Sequence, residues 1–388
     1  MTRAIIFGAN HHNTLGVIRS LGRKGIYPEV LLHSTLPANK CNNFKSRYIK
    51  SWHKVDSCEE GVEYLCHTIN ESERPVIICC SDNAASAIDK RYDELNNHYI
   101  IPNCGRQGRM TELMNKEAMS ELAVECGLEV PKTILVEHAQ LCDDIPFPCI
   151  TKPLLSIEGN KADIQICHTR DELNSVLNKS ECPRFQVQKF IDKAFEYQLI
   201  GLSLEGGKTV IIPGRSRIIT QPICTNTGYL HYEHLDGKEP IDACKKFLQT
   251  ANYSGLFSME FMRGKDGKNY FMEINFRNDG NSICVTEAGV NLHYIWYVHS
   301  IGAEWEQEAE KEIRELYVMP EFTELNLWYQ GSIRITRFIR EMMQADVFMD
   351  YAKDDPTPTR GFGMFIRDAI VSTIKKPAFF LKHKVFKL

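Results

Sequence analysis

Short apolar runs alternate with stretches of helical spacing through the first hundred residues. Ala4–Gly8 is an apolar run. Asn13 to Gly25 carries Leu15, Ile18 and Leu21 at helical intervals, and Glu29–Leu32 is apolar again. A helix closing over Tyr64–Ile69 precedes the fully apolar Pro75–Cys80. Ala84–Ile88 then reads as helix and Tyr99–Ile101 as a short strand. Such strand–helix alternation predicts a parallel, doubly wound α/β sheet. Ligands of these sheets sit beyond the carboxyl ends of the strands. The loops Asn10-His11-His12 and Ser81-Asp82-Asn83 are therefore candidate site loops.

Beyond residue 104 the pattern changes to α+β. Thr111–Cys126 has helical spacing and stops at Gly127, and Pro131 opens an extended segment. Short strands then mix with one helix, Asp171–Asn178, and a strand-rich region from 209 to 285 holds a helix at Ile241–Ala251. Residues 286–318 read as helical and partly acidic, and Ser332–Met343 as a helix.

The richest pattern lies at 257–280. Phe257–Phe261 and Tyr270–Arg277 flank a Gly264-Lys265-Asp266-Gly267-Lys268 turn, which predicts a β-hairpin. Glu273, Asn275 and Arg277 fall at alternate positions and so share one face, with Met272, Ile274 and Phe276 on the other. Glu260 lies on the partner strand. Two carboxylates and an amide oxygen on one face make a hard, oxygen-rich site of the kind Mg²⁺ takes when phosphates complete its shell. A solvated polar face with cross-strand ion pairs is the plainer reading of the same residues.

Other motifs carry charge toward such a site. In Phe147-Pro148-Cys149-Ile150-Thr151-Lys152-Pro153 the lysine ends a short apolar strand and can serve as a point charge for phosphate, or simply be exposed. Ile157–Ala162 holds Gly159 and Lys161, a loop able to close over phosphates. Phe185–Ile191 followed by Phe195–Ile200 is a strand, a linker and a strand. The linker backbone suits an adenine edge, and Glu196 can accept from ribose hydroxyls or stay a surface glutamate. Arg215 and Arg217 alternate on an apparent strand, and one of them can fork a substrate carboxylate, or both form an exposed basic face. His11 and His12 line an acceptor pocket or cap a helix.

Composition narrows the class. The chain has 388 residues, enough for two or three domains, with 43% hydrophobic and 25% charged residues, a globular profile. A net charge of −4 gives no general pull toward nucleic acid. Fourteen scattered cysteines without a C-x-x-C pair argue against a zinc ribbon. With no signal-peptide pattern at the start, they fit buried free thiols in a reducing cytoplasm. The segment Ile366–Leu388 has six Lys/Arg against one acidic residue. It reads as a packed terminal helix with a basic outer face, or as a contact with an anionic membrane.

Taken in order, these motifs resemble the ATP-grasp superfamily over roughly residues 1–300. Asn115-Lys116 with Gly127–Pro131 is similar to the family's lysine-containing helix and its "GxxxP" exit. Phe147–Pro153 is similar to the "FPxxxKP" strand, and Phe271–Arg277 to "EINxR". The loop of Lys161 has fewer Gly and Ser than the family's, and Gln188 stands where a glutamate is more usual. The resemblance implies an N-terminal α/β domain (1–103) and two α+β subdomains that clamp ATP, a lid (104–200) and a metal-binding unit (201–300). A helical extension (301–388) follows. It implies ATP contacts from Lys116, Lys152, Lys161, Gln188, Lys189, Phe190, Ile191 and Glu196. Glu260, Glu273 and Asn275 hold Mg²⁺, with Mn²⁺ an alternative. Arg277, Lys152 and Arg217 serve catalysis.

Within the superfamily the sequence is most similar to carbamoyl-phosphate-synthase-like and D-aspartate-ligase-like carboxylate–amine ligases. The expected activity is Mg·ATP-dependent activation of a carboxylate as an acyl phosphate, followed by amine attack. The expected partners are ATP with small carboxylate and amine substrates, and a homodimer is the base-rate assembly. A non-catalytic ATP-binding protein of the same fold is the alternative. A dinucleotide-dependent oxidoreductase is excluded, because Gly8–Gly16 lacks G-x-G-x-x-G spacing.

Overall fold

The structure is a computed structural model, and it describes residues 2–70, 72–137, 145–153, 164–180, 184–221 and 228–359. Strands β1 (Ala4–Ala9), β2 (Glu29–His33), β3 (Ser51–Val55) and β4 (Val76–Cys79) form a parallel sheet in the order β3-β2-β1-β4. Alternate residues of β1 enter different cores, Ile5 and Phe7 on one face and Ile6 on the other. That is the two-faced burial expected of a doubly wound sheet. β3 escaped the sequence pattern because Ser51, Trp52 and His53 are exposed. Tyr99–Ile101 yields only a single bridge, Ile100 to Val76.

A second, antiparallel sheet comprises β5 (Thr133–Glu137), β6 (Cys149–Pro153), β7 (Ile166–Cys167) and β8 (Arg184–Lys189), in the order β5-β8-β6-β7. The helix Arg170–Lys179 covers one face, packing Leu173 and Leu177 on Phe185, Val187 and Cys149. Leu135, Lys152, Gln186 and Gln188 lie on the other face, where Leu135 is 53% exposed.

The third sheet contains β9 (Lys193–Leu204), β10 (Thr209–Ile211), β11 (Arg215–Ile218), β12 (Leu230–Glu233), β13 (Gly255–Gly264), β14 (Asn269–Asn275), β15 (Leu316–Met319) and β16 (Val347–Phe348). Its order is β14-β13-β9-β11-β12-β15-β16, with β10 on β9. The expected helical extension from 301 is thus corrected, since β15 and β16 continue this sheet. The acidic run before β15 hid the alternation of buried Leu316, exposed Tyr317 and buried Val318.

Two further expectations change. The helix read over Thr111–Cys126 is two, Arg109–Leu113 and Lys116–Glu125, divided where the Asn115 side chain caps the second by accepting from the N–H groups of Glu117 and Ala118. Met110, Leu113, Met119 and Leu122 pack in the same core as Phe271 and Ile274. This segment therefore sits on the large sheet, and the four lid strands span only residues 133–189. β9 likewise belongs to the large sheet from Lys193 onward. Among the described residues, no helix is long and apolar enough to cross a membrane. The described cysteines are free and buried apart from the half-buried Cys66.

A buried amide pair joins the N-terminal domain to the large sheet. Asn13 Nδ2 donates to the carbonyls of Cys80 (3.0 Å) and Asn278 (2.9 Å), and the Asn278 amide returns a bond to Asn13 Oδ1. The Asn278 N–H meets the Cys79 carbonyl at 2.9 Å, and His293 Nε2 lies 2.7 Å from Asn278 Oδ1. Asn13→Ala would leave the buried Cys80 carbonyl without its donor and one Asn278 amide hydrogen without its acceptor, while the Asn278 carbonyl keeps Arg277 Nη1. Each such loss costs about 1–3 kcal/mol. The variant should keep its circular dichroism but unfold at a clearly lower urea concentration, by about 2–4 kcal/mol in total.

Candidate active site

Strand pairing builds the site from three neighbouring strands. Glu260 of β13 stands opposite Glu273 of β14 on one side and Gln198 of β9 on the other. One row further, Ser258 stands opposite Asn275. Residues opposite one another in an antiparallel ladder share a face, so Gln198, Glu260, Glu273 and Asn275 converge. A register shift between Glu260 and Phe261 makes Met272 an extra residue, a β-bulge. The bulge corrects the expected face pattern: Phe271, not Met272, joins Ile274 and Phe276 in the core.

Hydrogen bonds fix the cluster. Gln198 Nε2 donates to Glu260 Oε1 (3.0 Å), and Asn275 Nδ2 donates to Ser258 Oγ (3.2 Å) and Glu260 Oε1 (3.4 Å). Arg277 Nη2 donates to Asn275 Oδ1 at 3.0 Å. Its guanidinium also forks onto Asp82 at 3.0 and 3.2 Å, and reaches Asp279 at 3.5 Å. Asp279 in turn accepts from Ser258 Oγ at 2.9 Å and from the Asn281 N–H at 2.8 Å.

Electrostatics mark this as a site short of positive charge. Burial, then the charges of Glu273 and Asp279, push the Glu260 carboxyl up to about 7, against the Gln198 bond and Arg277. Two opposed carboxylates and an amide oxygen suit a hard divalent cation whose remaining ligands come from phosphate or water. Among the described residues, no three His, Cys, Asp or Glu side chains form a self-sufficient metal cage. Burial pulls the Arg277 guanidinium down, but Asp279, Asp82 and Glu260 outweigh it, and its pKa lies above the ordinary value.

Lys152 stands on the uncovered face of the small sheet. Lys152 Nζ donates to Gln188 Oε1 at 3.1 Å, and Gln188 Nε2 donates to Thr133 Oγ1 at 2.9 Å. Burial, then the charge of Lys116, lowers the Lys152 pKa, while Glu196 opposes them. Lys152 is therefore within electrostatic reach of Lys116 from a helix and of Glu196 from the large sheet. Glu196 is bonded to Lys193. In the linker, the N–H groups of Lys189 and Phe190 are taken by the carbonyls of Lys132 (2.8 Å) and Pro148 (2.9 Å), and Ile191 is buried. The Lys189 ammonium lies over the Tyr270 ring, 5.4 Å from its centroid.

Both N-terminal loops reach the cluster. Asp82 opens the helix Asp82–Asp89, capped by Ser81, and holds Arg277. His11 caps the helix His12–Gly22 through Nδ1, which accepts from the Asn13 N–H at 3.2 Å. Burial and the neighbouring Arg277 hold His11 below its usual range; burial and His11 push His12 down to about 3. Both imidazoles are neutral at physiological pH.

Arg217 is not brought to the cluster, which corrects its expected catalytic role. It pairs with Tyr197 in register, while its neighbour Ser216 pairs with Gln198, so Arg217 projects from the opposite face. There it binds Glu233 at 3.2 Å and lies 6.0 Å from the Phe195 ring centroid. Arg215 shares that face, paired with Glu233, Asp236 and Glu239. Lys161 lies outside the described residues. Sequence reasoning missed Gln198, Ser258 and Asp279 as site residues. Only the alternation around Glu196 and Glu260 could have pointed to the first two.

No family model matches the sequence. The chain is 26% identical over 245 residues to the D-aspartate ligase of Enterococcus faecium (strain Aus0004), covering 58% of this chain and 58% of that protein. It thus spans little more than half the length of that relative. Among solved structures it is similar to the N5-carboxyaminoimidazole synthetase of Staphylococcus aureus, with a TM-score of 0.64, 14% identity and 86% of each chain covered. It is also similar to the L-amino acid ligase of Bacillus licheniformis, with a TM-score of 0.60, 15% identity, and 81% and 79% of the two chains covered.

The Glu260 environment has a measurable consequence in the metal-free protein. An unperturbed glutamate titrates near 4.5, and Glu260 does so at about 7. The stability associated with its protonated form is therefore complete below pH 4.5 and is lost as pH rises through 7. In EDTA, Glu260→Gln should melt with wild type at pH 4. At pH 8 it should be the more stable, by on the order of 2 kcal/mol. Thermal unfolding of both proteins at the two pH values checks this.

Proposed function

We propose that the chain, which has the fold of the ATP-grasp proteins, activates a carboxylate with Mg·ATP and joins it to an amine, releasing ADP and phosphate. One observation carries this reading. The opposed Glu260 and Glu273, with Asn275 and Arg277 beside them, lie on one sheet face that shares electrostatic reach with Lys152 of the lid.

A carboxylate is a poor electrophile because its charge is delocalised. Phosphoryl transfer from ATP converts it into an acyl phosphate with a good leaving group, and an amine then forms the amide. The barrier lies in bringing two anions together, so catalysis is charge neutralisation and alignment. Glu260, Glu273 and Asn275 would hold Mg²⁺, for which Mn²⁺ could substitute, and the cation would supply positive charge that offsets the phosphates. Lys152 and Lys116, with Lys161 from the phosphate loop, draw the phosphates to the lid side. Gln188, Lys189, Phe190 and Ile191 border the adenine, and Glu196 takes the ribose hydroxyls. Arg277 holds the transferring or acyl phosphate, and Arg217 has no part in the reaction.

Substrates of amino-acid or peptide type fit best. The acceptor side would be lined by Asp82, a carboxylate suited to an ammonium, and by two histidines that stay neutral and so do not repel it. Turnover takes place in the cytoplasm, where ATP is plentiful.

The test is ADP and phosphate release from Mg·ATP with pooled carboxylates and pooled amines. Wild type should require both pools. Glu273→Gln should lower the rate by on the order of 100-fold or more, since it removes charge from the phosphoryl-transfer centre. Release that needs only the carboxylate pool would replace the ligase reading with a kinase. A wild type no faster than Glu273→Gln under every combination would leave an ATP-binding protein without turnover.

A further inference from the structure

The helix Ile335–Gln344 is packed with its polarity reversed. A surface helix of a globular protein turns its apolar stripe to the core. Here Phe338 and Glu341 face inward and are buried. Glu341 accepts from Thr220 Oγ1 and Arg337 Nε, both at 2.8 Å. The apolar stripe instead faces solvent: Ile335, Ile339, Met342 and Met343 are 39%, 45%, 40% and 80% exposed. Their spacing places all four on one side of the helix.

The same helix carries free positive charge. Among the described residues, Arg215, Arg217, Arg263 and Arg277 meet carboxylates, whereas Arg334 and Arg340 make no ion pair and no side-chain hydrogen bond. Both line a groove of about 560 Å³ with Arg337, Ser332, Ile333 and Thr336, and no carboxylate lines it. The helix's only acidic residue is the buried Glu341.

From this arrangement we infer that the helix Ile335–Gln344 seats the protein on an anionic lipid surface. The four apolar side chains enter the acyl boundary, and Arg334 and Arg340 bind headgroup phosphates, while Arg337 stays committed to Glu341, Thr220 and the Ile219 carbonyl. A short helix with one apolar side and an arginine-bearing polar side lies in the plane of such an interface. Each guanidinium matches phosphate as a planar fork. Charge complementarity decides the occupant. A second copy of the helix would bring arginines toward arginines. The chain's own residues beyond Thr359 are also the wrong sign, since 366–388 carry six Lys/Arg against one acidic residue.

Flotation of the full chain tests this, with vesicles of equimolar phosphatidylcholine and phosphatidylglycerol against phosphatidylcholine alone. The variants are Ile339→Glu/Met343→Glu and Arg334→Gln/Arg340→Gln. Wild type should float only with the anionic vesicles, and each double variant should bind about tenfold more weakly. Both variants should melt at the wild-type temperature, because the altered side chains are exposed. Failure of wild type to float, or variants that float as well as wild type, would overturn the inference. A lower melting temperature for Ile339→Glu/Met343→Glu would show the stripe to be covered by the chain itself. Dissociation of a dimer by that variant, with lipid binding unchanged, would assign the stripe to a second copy. Either result overturns lipid docking.

Discussion

Two carboxylates facing each other across neighbouring strands are the constraint around which the large sheet is arranged. Glu260 and Glu273 cannot both be charged in a half-buried site without help. The protein supplies some of that help as amide donors, from Gln198 and Asn275, both bonded to the same oxygen of Glu260. Arg277 supplies more, but its charge is shared with Asp82 and Asp279. The remaining imbalance leaves Glu260 partly protonated near neutrality. A stable fold tolerates such a site because β9, β13 and β14 are bedded on an apolar face of Tyr197, Phe257, Met259, Phe271 and Ile274. Hydrophobic burial on one face thus holds like charges together on the other.

The N-terminal domain takes part in that balance. Its strands end where β14 ends, and the Asn13–Asn278 pair and the Asp82–Arg277 fork cross the junction side by side. One contact is neutral and buried, and fixes position. The other is charged and partly exposed, so Arg277 can exchange its carboxylate partner for another anion.

Local pattern made much of this readable in the sequence. Alternation in Phe271–Arg277 exposed the shared face of Glu273 and Asn275, and strand–helix alternation gave the parallel sheet with its two site loops. What escaped depends on partners distant in sequence. Gln198 matters because β9 lies beside β13, and nothing near residue 198 states that pairing. Arg217 was misplaced for the same reason: alternation says that Arg215 and Arg217 share a face, but only the register with β9 says which face. The bulge at Met272 has no local signal in a run of apolar residues. β15 and β16 are too short and too acidic in their surroundings to declare themselves as strands.

The lid sheet has one covered face and one open face, with Leu135 and the aliphatic stems of Lys152 and Gln188 on the open side. A four-stranded sheet of this kind is half of a sandwich, and a nucleotide seated on the open face, as proposed, would become its missing layer. Its binding would then be thermodynamically akin to finishing a fold. Water leaves apolar surface, and the heat capacity falls as it does when a chain collapses. The small core of Leu173, Leu177, Phe185 and Val187 lies against the other face of the same strands, so a ligand that binds only the folded sheet would stabilise that core as well.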